Sequence, residues 1–241
     1  MAKRRKSVNQ NEKKSPIKKV ARFLGKVLLW FLGVSLFLVV LFKFVPVPFT
    51  PLMAIRAIES KMDGKEMYCS HDWVPIEDIS KNMQRAVIAS EDGTFLTHNG
   101  FDFSAIQKAM KNNEKGRKLK GGSTISQQTA KNVFLWQGRS YFRKALEAYF
   151  TVLIEFVWGK ERIMEVYLNS IEMGDGVYGI EAAAEHWYRK KASNLTKIEA
   201  AGIAAILPNP RKFKASNSSS YIERRKGRIV KHMRYVGKLD Y

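Results

Sequence analysis

The sequence predicts a single membrane-spanning helix followed by a mainly α-helical external domain. Three observations support this prediction: a basic N-terminal segment, an uncharged apolar run directly behind it, and capping residues that precede helical apolar patterns further along the chain. The 241 residues are 45% hydrophobic and 27% charged, which excludes a disordered tail or a many-span membrane protein and fits one or two globular units. Cys69 is the only cysteine, so an internal disulfide framework and a cysteine-based zinc cluster are both excluded.

The positive charge is concentrated at the N-terminus. Residues 1–26 contain ten Lys or Arg and one Glu, a net charge of +9, which leaves +11 of the total of +20 for the rest of the chain. An imbalance of this size indicates a polyanionic partner. Nucleic acid, an anionic membrane surface and a phosphorylated substrate all fit it, and charge alone does not choose among them.

An uncharged apolar run follows the basic segment. Val27 to Phe42 contain no charged residue, and the apolar stretch extends from about Phe23 to Val47 when the lysines near its ends snorkel. Roughly 20 residues suffice to cross a bilayer. A cleaved signal peptide is disfavoured because no small-residue cleavage motif follows, and a buried core helix is disfavoured because the run is apolar on every face. Since positive charge stays in the cytoplasm, we predict a basic cytoplasmic tail at 1–22, a transmembrane helix at 23–45 and an external domain at 46–241.

Capping residues predict most helices of the external domain. Asp, Ser and Thr side chains bond the free amides of a first helical turn, and several of them stand before an apolar helical pattern. The predicted helices are Lys81–Ser90 behind Asp78 or Ser80, Phe103–Asn112 behind Asp102, Thr124 to about Phe134 behind Gly121 and Gly122, Ser140 to about Val157, Lys160–Asn169 behind Gly159, and Thr196–Leu207 before Pro208. Strand signals are few, so we expect the domain to be almost entirely α-helical.

Two adjacent carboxylates end the first of these helices. Glu91 and Asp92 follow an apolar helix end and precede a break at Gly93. A carboxylate at the end of a buried helix is partly desolvated, which makes it a better general base. The alternative is a pair of solvated charges matched by Lys or Arg, and the pattern alone leaves both open.

A second polar constellation runs from Gly121 to Asn132. It places Gln127, Gln128 and Lys131 on a short helix behind a glycine-rich turn, which is a candidate anion site. A glycine turn with a Ser or Thr cap would need no ligand, and the segment lacks the G-K-[ST] ending of a nucleotide-binding P-loop.

Two further charged patterns lie towards the C-terminal half. Arg143 and Glu147 are four residues apart and form either a surface ion pair or the lining of a cleft where Arg143 meets phosphate. The stretch from Arg224 to Lys238 is basic and helix-like, which suggests a solvated face near anionic lipid, since no zinc-finger or RNA-binding signature accompanies it.

Five motifs in this order resemble glycosyltransferase family 51, the peptidoglycan glycosyltransferases, and within that family its monofunctional members from Gram-negative bacteria. They are E-D-x-x-F-x-x-H-x-G at Glu91–Gly100, G-G-S-T-I-[ST]-Q-Q-x-x-K-N at Gly121–Asn132, R-K-x-x-E with a later [LI]-E at Arg143–Glu155, K-x-x-I-x-E-x-Y-L-N with G-x-G-x-Y-G at Lys160–Gly179, and A-A-G-I-A-A-I-L-P-N-P at Ala200–Pro210. The resemblance spans roughly residues 44–236. It departs at Trp187–Lys190, where many members have Y-F-G-K.

The resemblance implies a fold and a reaction. The fold would be a lysozyme-like helical lobe with a smaller hydrophobic lobe near the membrane, and the reaction would polymerise lipid II with inversion and release of undecaprenyl pyrophosphate. Glu91 would be the base, Lys131 and Arg143 would contact the phosphates, and Glu147 would be a second essential carboxylate that orients those cations or holds a divalent cation such as Mg or Mn. The residues expected to shape the substrate subsites are Asp92, Phe95, His98, Thr124, Gln128 and Asn132.

The resemblance also implies a location and partners. It places the glycosyltransferase domain in the periplasm and the chain in the inner membrane, in contact with lipid II, the nascent glycan strand and membrane lipids. Cell-division or elongation proteins are further candidates, and nucleic acid is not expected. Two other functions are a lysozyme-like lytic glycosidase and a non-catalytic, membrane-tethered polyanion binder. Lys131 and Arg143 argue against the first, since cleavage needs no pyrophosphate clamp, and the motif order argues against the second.

Overall fold

A computed structural model describes residues 16–64, 68–114, 122–138 and 140–241. The chain divides into two compact units, one that ends at Leu41 and one from Phe42 to Tyr241. Most of the predicted basic tail, and Gly121 of the second motif, lie outside the described residues.

The first helix, α1, extends from Pro16 to Phe44. It is long and apolar enough to cross a membrane, with a mean hydropathy of 2.5 in its most apolar window. The helix begins earlier than the sequence predicts because Pro16 is preorganised for a first helical position and the lysines that follow it are good helix formers. The apolar run is therefore the central and C-terminal part of a longer helix.

The unit from Phe42 is mainly helical, as predicted. Its described α-helices are α2 (Pro51–Met62), α3 (Lys81–Glu91), α4 (Phe103–Glu114), α5 (Ile125–Phe134), α6 (Tyr141–Val157), α7 (Gly159–Ser170), α8 (Ile180–Tyr188), α9 (Lys197–Ile206) and α10 (Ser220–His232). Short 3₁₀ turns occur at Ile76–Asp78, Ala192–Asn194 and Met233–Tyr235.

A small sheet joins β1 (Ser70–His71), β2 (Glu172–Gly174) and β3 (Val177–Tyr178) in the order β1-β3-β2. The first strand is parallel to β3, with Ser70 opposite Val177, and β2 is antiparallel to it. In the sequence, β2 and β3 lie between α7 and α8, whereas β1 precedes α3.

The predicted caps are present. Ser80, rather than Asp78, accepts a hydrogen bond from the Asn82 amide and begins α3. Ser140 begins α6 in the same way, and Thr124 begins α5 with a reciprocal capping box that includes Gln127. Because side-chain caps act within one helical turn, these helix starts agree with the sequence prediction to within one residue.

The core brings α3, α5, α7 and α9 together. The middle of α7 is buried at Ile163, Met164 and Tyr167, and α9 is buried from Ala200 to Ile206. α9 packs against α3 and α10, while α5 packs against α6 and α7. The C-terminal end of α3 and the N-terminal end of α5 meet where the Ile125 amide donates to the Asp92 carboxylate.

Arg162 on α7 bonds backbone carbonyls at the C-terminal end of α1. Its Nε and Nη2 donate to the Phe42 carbonyl at 3.0 and 2.8 Å, and Nη2 also donates to the Val45 carbonyl at 2.7 Å. Nη1 bonds Glu165 at 2.8 Å, and the guanidinium lies over the Trp73 ring. Helix C-termini leave carbonyls unpaired, and a planar guanidinium can bond several of them at once.

Replacement of Arg162 by Met should destabilise the full-length protein by about 2 kcal/mol, because the Phe42 and Val45 carbonyls and Glu165 lose a shared charged donor. Thermal unfolding in detergent should then show a Tm lower by about 4–8 °C. Arg211→Met is the matched control, since Arg211 bonds Asp175 on the exposed surface, and it should shift the Tm by no more than about 1 °C. Equal shifts in the two variants would contradict the role given to Arg162.

Candidate active site

Glu91 is the last residue of α3. The helix stops there because Asp92 takes a non-helical conformation, with φ −155° and ψ 77°, and Gly93 follows. The Glu91 side chain is 16% exposed, and its Oε1 accepts a hydrogen bond from Ser90 Oγ at 2.9 Å. It lines a cavity of about 80 Å³, whose other lining residues are Asp92, Gly93, Asp102, Ala105, Gly122, Ser123 and Thr124. The structure therefore places Glu91 at the edge of a cavity and not on an open surface.

Asp92 and His98 bond each other beneath Glu91. The Asp92 carboxylate is buried and lies 2.9 and 3.0 Å from His98 Nε2. Because the Gly100 amide donates to His98 Nδ1 at 3.1 Å, the ring proton is on Nε2 and is donated to Asp92. Asp92 also accepts from the Ile125 amide at 2.9 Å, at the first residue of α5. These hydrogen bonds hold the end of α3, the first motif and the start of α5 together.

Thr124 of the second motif bonds the last residue of the first motif, Gly100. Its hydroxyl donates to the Gly100 carbonyl at 2.7 Å, while its amide donates to Gln127 Oε1. Gly100 has φ +87°, and a Cβ there would lie 2.8 Å from Thr151 Cγ2 on α6. The first motif, the second motif and α6 therefore meet at a point where only glycine fits.

Arg143 and Glu147 form a buried pair, which excludes the surface ion pair as an interpretation of their spacing. Arg143 Nη1 donates to Glu147 Oε2 at 2.8 Å, and Lys144 Nζ donates to Oε1 at 2.5 Å. Arg143 and Glu147 are both buried, so this is not a surface ion pair. Arg143 Nε is buried without a hydrogen-bond partner among the described residues.

Lys131 on α5 belongs to the same cluster. Burial lowers the pKa of its ammonium group, the charge of Glu147 acts in the opposite direction, and Arg143 and Lys144 lower it further. Three cations with one carboxylate leave a net positive charge, and Arg143 has an unpaired donor. Such a partly buried cationic cluster suits a phosphate or pyrophosphate group.

Gln128 on α5 lies next to a buried tyrosine, Tyr167. Tyr167 is fully buried on α7, and its hydroxyl is 3.5 Å from Gln128 Oε1. Burial, with the nearby charges of Glu91 and Asp92, raises the Tyr167 pKa well above its ordinary value, so the phenol stays protonated. Gln128 and Lys131 are three residues apart on α5, which extends from the carboxylates to the cationic cluster.

Lys160 contacts Phe95, another of the predicted site residues, and bonds Glu155. Phe95 is fully buried, and Lys160 Nζ lies 4.7 Å from the centre of its ring. Lys160 also bonds Glu155 Oε1 at 2.7 Å, and Ser126 Oγ donates to the same oxygen at 2.5 Å. Asn132 is buried further along α5. Glu155 and Lys160 lie within the matched motifs, but the sequence gives no sign that Glu155 bonds both Lys160 and Ser126.

Arg225 on α10 is a site residue that the sequence analysis missed. Its Nη2 lies 3.1 Å from Ser90 Oγ and 3.6 Å from Glu91 Oε1. The basic pattern from Arg224 to Lys238 predicted a solvated face that included Arg225. The helical spacing from Ile222 through Arg225 to Ile229, both isoleucines being buried, is the signal that identifies its inward position.

Comparison with known proteins agrees with these observations. Residues 60–234 match the sequence model of a family described as Transglycosylase. The chain is 50% identical to the biosynthetic peptidoglycan transglycosylase of Pseudomonas syringae pv. syringae over 225 residues, 93% of this chain and 95% of the relative. Proteins of the same name from Bdellovibrio bacteriovorus and Caulobacter vibrioides are 54% and 56% identical, covering 87% and 80% of this chain and 84% and 82% of theirs.

The chain belongs to the transglycosylase family. The family resemblance predicted from the five motifs is therefore confirmed. In this transglycosylase the matched region begins after α1 and includes Glu91, the cationic cluster and Arg225.

Gly100→Ala should destabilise the transglycosylase by about 2–3 kcal/mol, because alanine is strained at positive φ and its Cβ would overlap Thr151. Thermal unfolding of the full-length protein is the measurement. Gly93→Ala is the matched control, since a Cβ at Gly93 meets nothing within 4 Å. If the two alanine variants unfold at the same temperature, Gly100 does not hold the motifs together as described.

Proposed function

We propose that this chain is a peptidoglycan glycosyltransferase that polymerises lipid II into glycan strands. The observation that carries the proposal is a cavity-lining carboxylate, Glu91, near the start of α5, with a partly buried cluster of cations further along that helix. The membership of the transglycosylase family supports the reaction class, and the two charged sites supply the two functions that the reaction needs.

In the proposed reaction, the 4-hydroxyl of one lipid-linked disaccharide attacks the anomeric carbon of the growing strand. Glu91 takes the hydroxyl proton as the new carbon–oxygen bond forms, a step that contributes about 10²- to 10⁴-fold. The bond from the anomeric carbon to the pyrophosphate oxygen breaks with its electron pair, so undecaprenyl pyrophosphate leaves and the configuration inverts. Asp92 and His98 keep the Glu91 helix end in place.

The cationic cluster would stabilise the leaving pyrophosphate. Lys131 and Arg143 would face the developing negative charge, and a desolvated cation interacts more strongly with it than a hydrated one. Glu147 would act by holding Arg143 and Lys144 in position, because each of its oxygens bonds one of them. Phe95, Thr124, Gln128 and Asn132 would shape the surrounding subsites.

The donor set of this site does not fit a protein-held divalent cation. Both oxygens of Glu147 already bond to cations. Among the described residues no group of three or more His, Cys, Asp or Glu side chains could hold a metal ion. We therefore assign no step to Mg or Mn.

An apolar face on α6 supports contact with membrane lipids. Phe142, Val152 and Phe156 are exposed, and with Tyr149 they recur at helical spacing along one side of the helix that carries Arg143. The length and hydropathy of α1 support a single-pass anchor. From the basic N-terminal segment we propose a cytoplasmic N-terminus and a periplasmic catalytic domain at the inner membrane. Cell-division or elongation proteins are proposed as partners on the family resemblance alone.

The two competing functions fit the geometry less well. A lytic glycosidase of the lysozyme type needs a protonated carboxylic acid beside a second carboxylate. Both oxygens of Glu147 are bonded to cations, so this carboxyl group is not available to a glycosidic oxygen. A non-catalytic polyanion binder would not need a carboxylate at the edge of the cavity.

Glu91→Gln should lower polymerisation of labelled lipid II at least about 100-fold, because glutamine keeps the shape of the side chain but cannot take the proton. The measurement separates glycan strands from monomer after incubation with the full-length protein in detergent. Glu185→Gln, a change to an exposed glutamate, should keep the wild-type rate. Full activity of a folded Glu91→Gln variant would remove Glu91 as the base.

Because the pKa of Lys131 is lowered, we expect the polymerisation rate to fall at alkaline pH. Because burial favours the uncharged amine, Lys131 should lose its proton below the ordinary lysine value of 10.5, and activity should fall with it. In the same window the unfolded chain binds more protons, so stability should rise with pH. Lys131→Arg keeps the charge and should move the alkaline fall of the pH–rate profile to higher pH. Lys190→Arg, at a surface pair with Glu199, should leave the profile unchanged.

A further inference from the structure

Arg225 is an inward-facing arginine on an otherwise basic and exposed part of α10. Its side chain is 24% exposed and reaches Ser90 and Glu91, whereas Arg224 and Arg228 are exposed. The Arg225 Nε is buried without a hydrogen-bond partner among the described residues. The guanidinium of Arg225 therefore lies at the end of α3, although its Nε–H donor has no described partner there.

The two oxygens of Glu91 have different surroundings. Oε1 accepts from Ser90 Oγ at 2.9 Å and lies 3.6 Å from Arg225 Nη2. Within the described ranges, Oε2 accepts no hydrogen bond, and the residue lines the cavity. One oxygen is held, and the other is free to meet a substrate hydroxyl.

The other charged or titratable groups around Glu91 do not attract it. Asp92 is adjacent, Asp102 at the N-terminus of α4 lines the same cavity, and Tyr167 faces it from α7. Hydrogen bonds from Thr94 and from the Ala105 amide lower the Asp102 pKa to about 2, so Asp102 is ionised and repels Glu91. Among the described residues, Arg225 is the cation within 4 Å of Glu91.

We propose that Arg225 is a positioning residue for the general base. Together with Ser90 it holds Glu91 Oε1, so that Oε2 faces the acceptor hydroxyl in spite of the two neighbouring carboxylates. This inference rests on the proposed function, since it gives Arg225 a role in proton transfer through Glu91.

The attachment of α10 does not depend on Arg225. Ile222, Ile229 and Met233 are buried, and α10 packs against both α9 and α3. Arg85 on α3 also donates to the Val236 carbonyl beyond the end of α10. A variant that removes the guanidinium should therefore stay folded.

The first experiment compares Arg225→Ala with Arg224→Ala in the full-length enzyme, using labelled lipid II in detergent. The two variants remove the same group from adjacent positions of one helix. In Arg225→Ala the kcat should fall about 10- to 100-fold while the KM stays within about twofold, because the loss is in the proton-transfer step and not in binding. Arg224→Ala should stay within about twofold of the wild type in both constants.

Chemical rescue separates positioning from a structural role. Millimolar guanidinium chloride should restore several-fold of the lost kcat in Arg225→Ala and nothing in Glu91→Gln, since the free cation can replace the missing side chain only where Glu91 is present. If Arg225→Ala does not fold, Arg225→Gln and Arg225→Lys replace it, and the lysine variant, which keeps the charge, should be the more active.

A double-mutant cycle tests whether Arg225 acts through Glu91 Oε1. Ser90→Ala and Arg225→Ala should be less than additive in kcat, because they release the same oxygen. The inference is overturned by a folded Arg225→Ala variant within twofold of the wild type, by an equal loss in Arg224→Ala, or by a loss that guanidinium does not relieve. A wild-type protein that makes no glycan strands would instead refute the proposed function.

Discussion

The arrangement of the site depends on one buried carboxylate, that of Asp92. It accepts hydrogen bonds from His98 and from the first amide of α5. Burial of a carboxylate is costly unless its oxygens are bonded, and the N-terminus of a helix favours negative charge. Asp92 therefore ends α3 and fixes the start of α5 in one place, which sets the position of Glu91 relative to every residue on α5.

The site is electrically polarised along α5. Glu91, Asp92 and Asp102 gather at the N-terminal end of α5, and Lys131, Arg143 and Lys144 gather further along it. In the proposed reaction a proton moves towards the acidic end and a negative leaving group forms at the cationic end, so one helix would orient both charges. Gln128 on α5 and the protonated Tyr167 on α7 are neutral groups, 3.5 Å apart.

The sequence predicted those parts of the fold that depend on local chemistry. The starts of α3, α5 and α6 follow from side chains that bond within one turn. The sequence patterns did not predict α2 or α8. α2 begins at Thr50–Pro51, which is a recognisable start. α8 is rich in alanine and follows Gly179, whose φ is +77° and where a Cβ would lie 2.8 Å from the Asn169 carbonyl oxygen. The departure at Trp187–Lys190 also has a structural counterpart, because Arg189 takes the left-handed conformation in which glycine is favoured.

The candidate site shows the same division between local and distant information. The motifs identified Glu91 and the cations, but only tertiary packing shows that Arg143 and Glu147 are buried, that Ser126 meets Glu155 and that Arg225 reaches Glu91. Net charge was the weakest guide, because it counts every cation equally. In the folded chain, Arg162 bonds carbonyls, Arg225 faces a carboxylate and Lys131 loses hydration, whereas Arg224 is exposed. What distinguishes these cations is the partner that burial assigns to each one, so the positive charge of the unit from Phe42 has several separate physical roles.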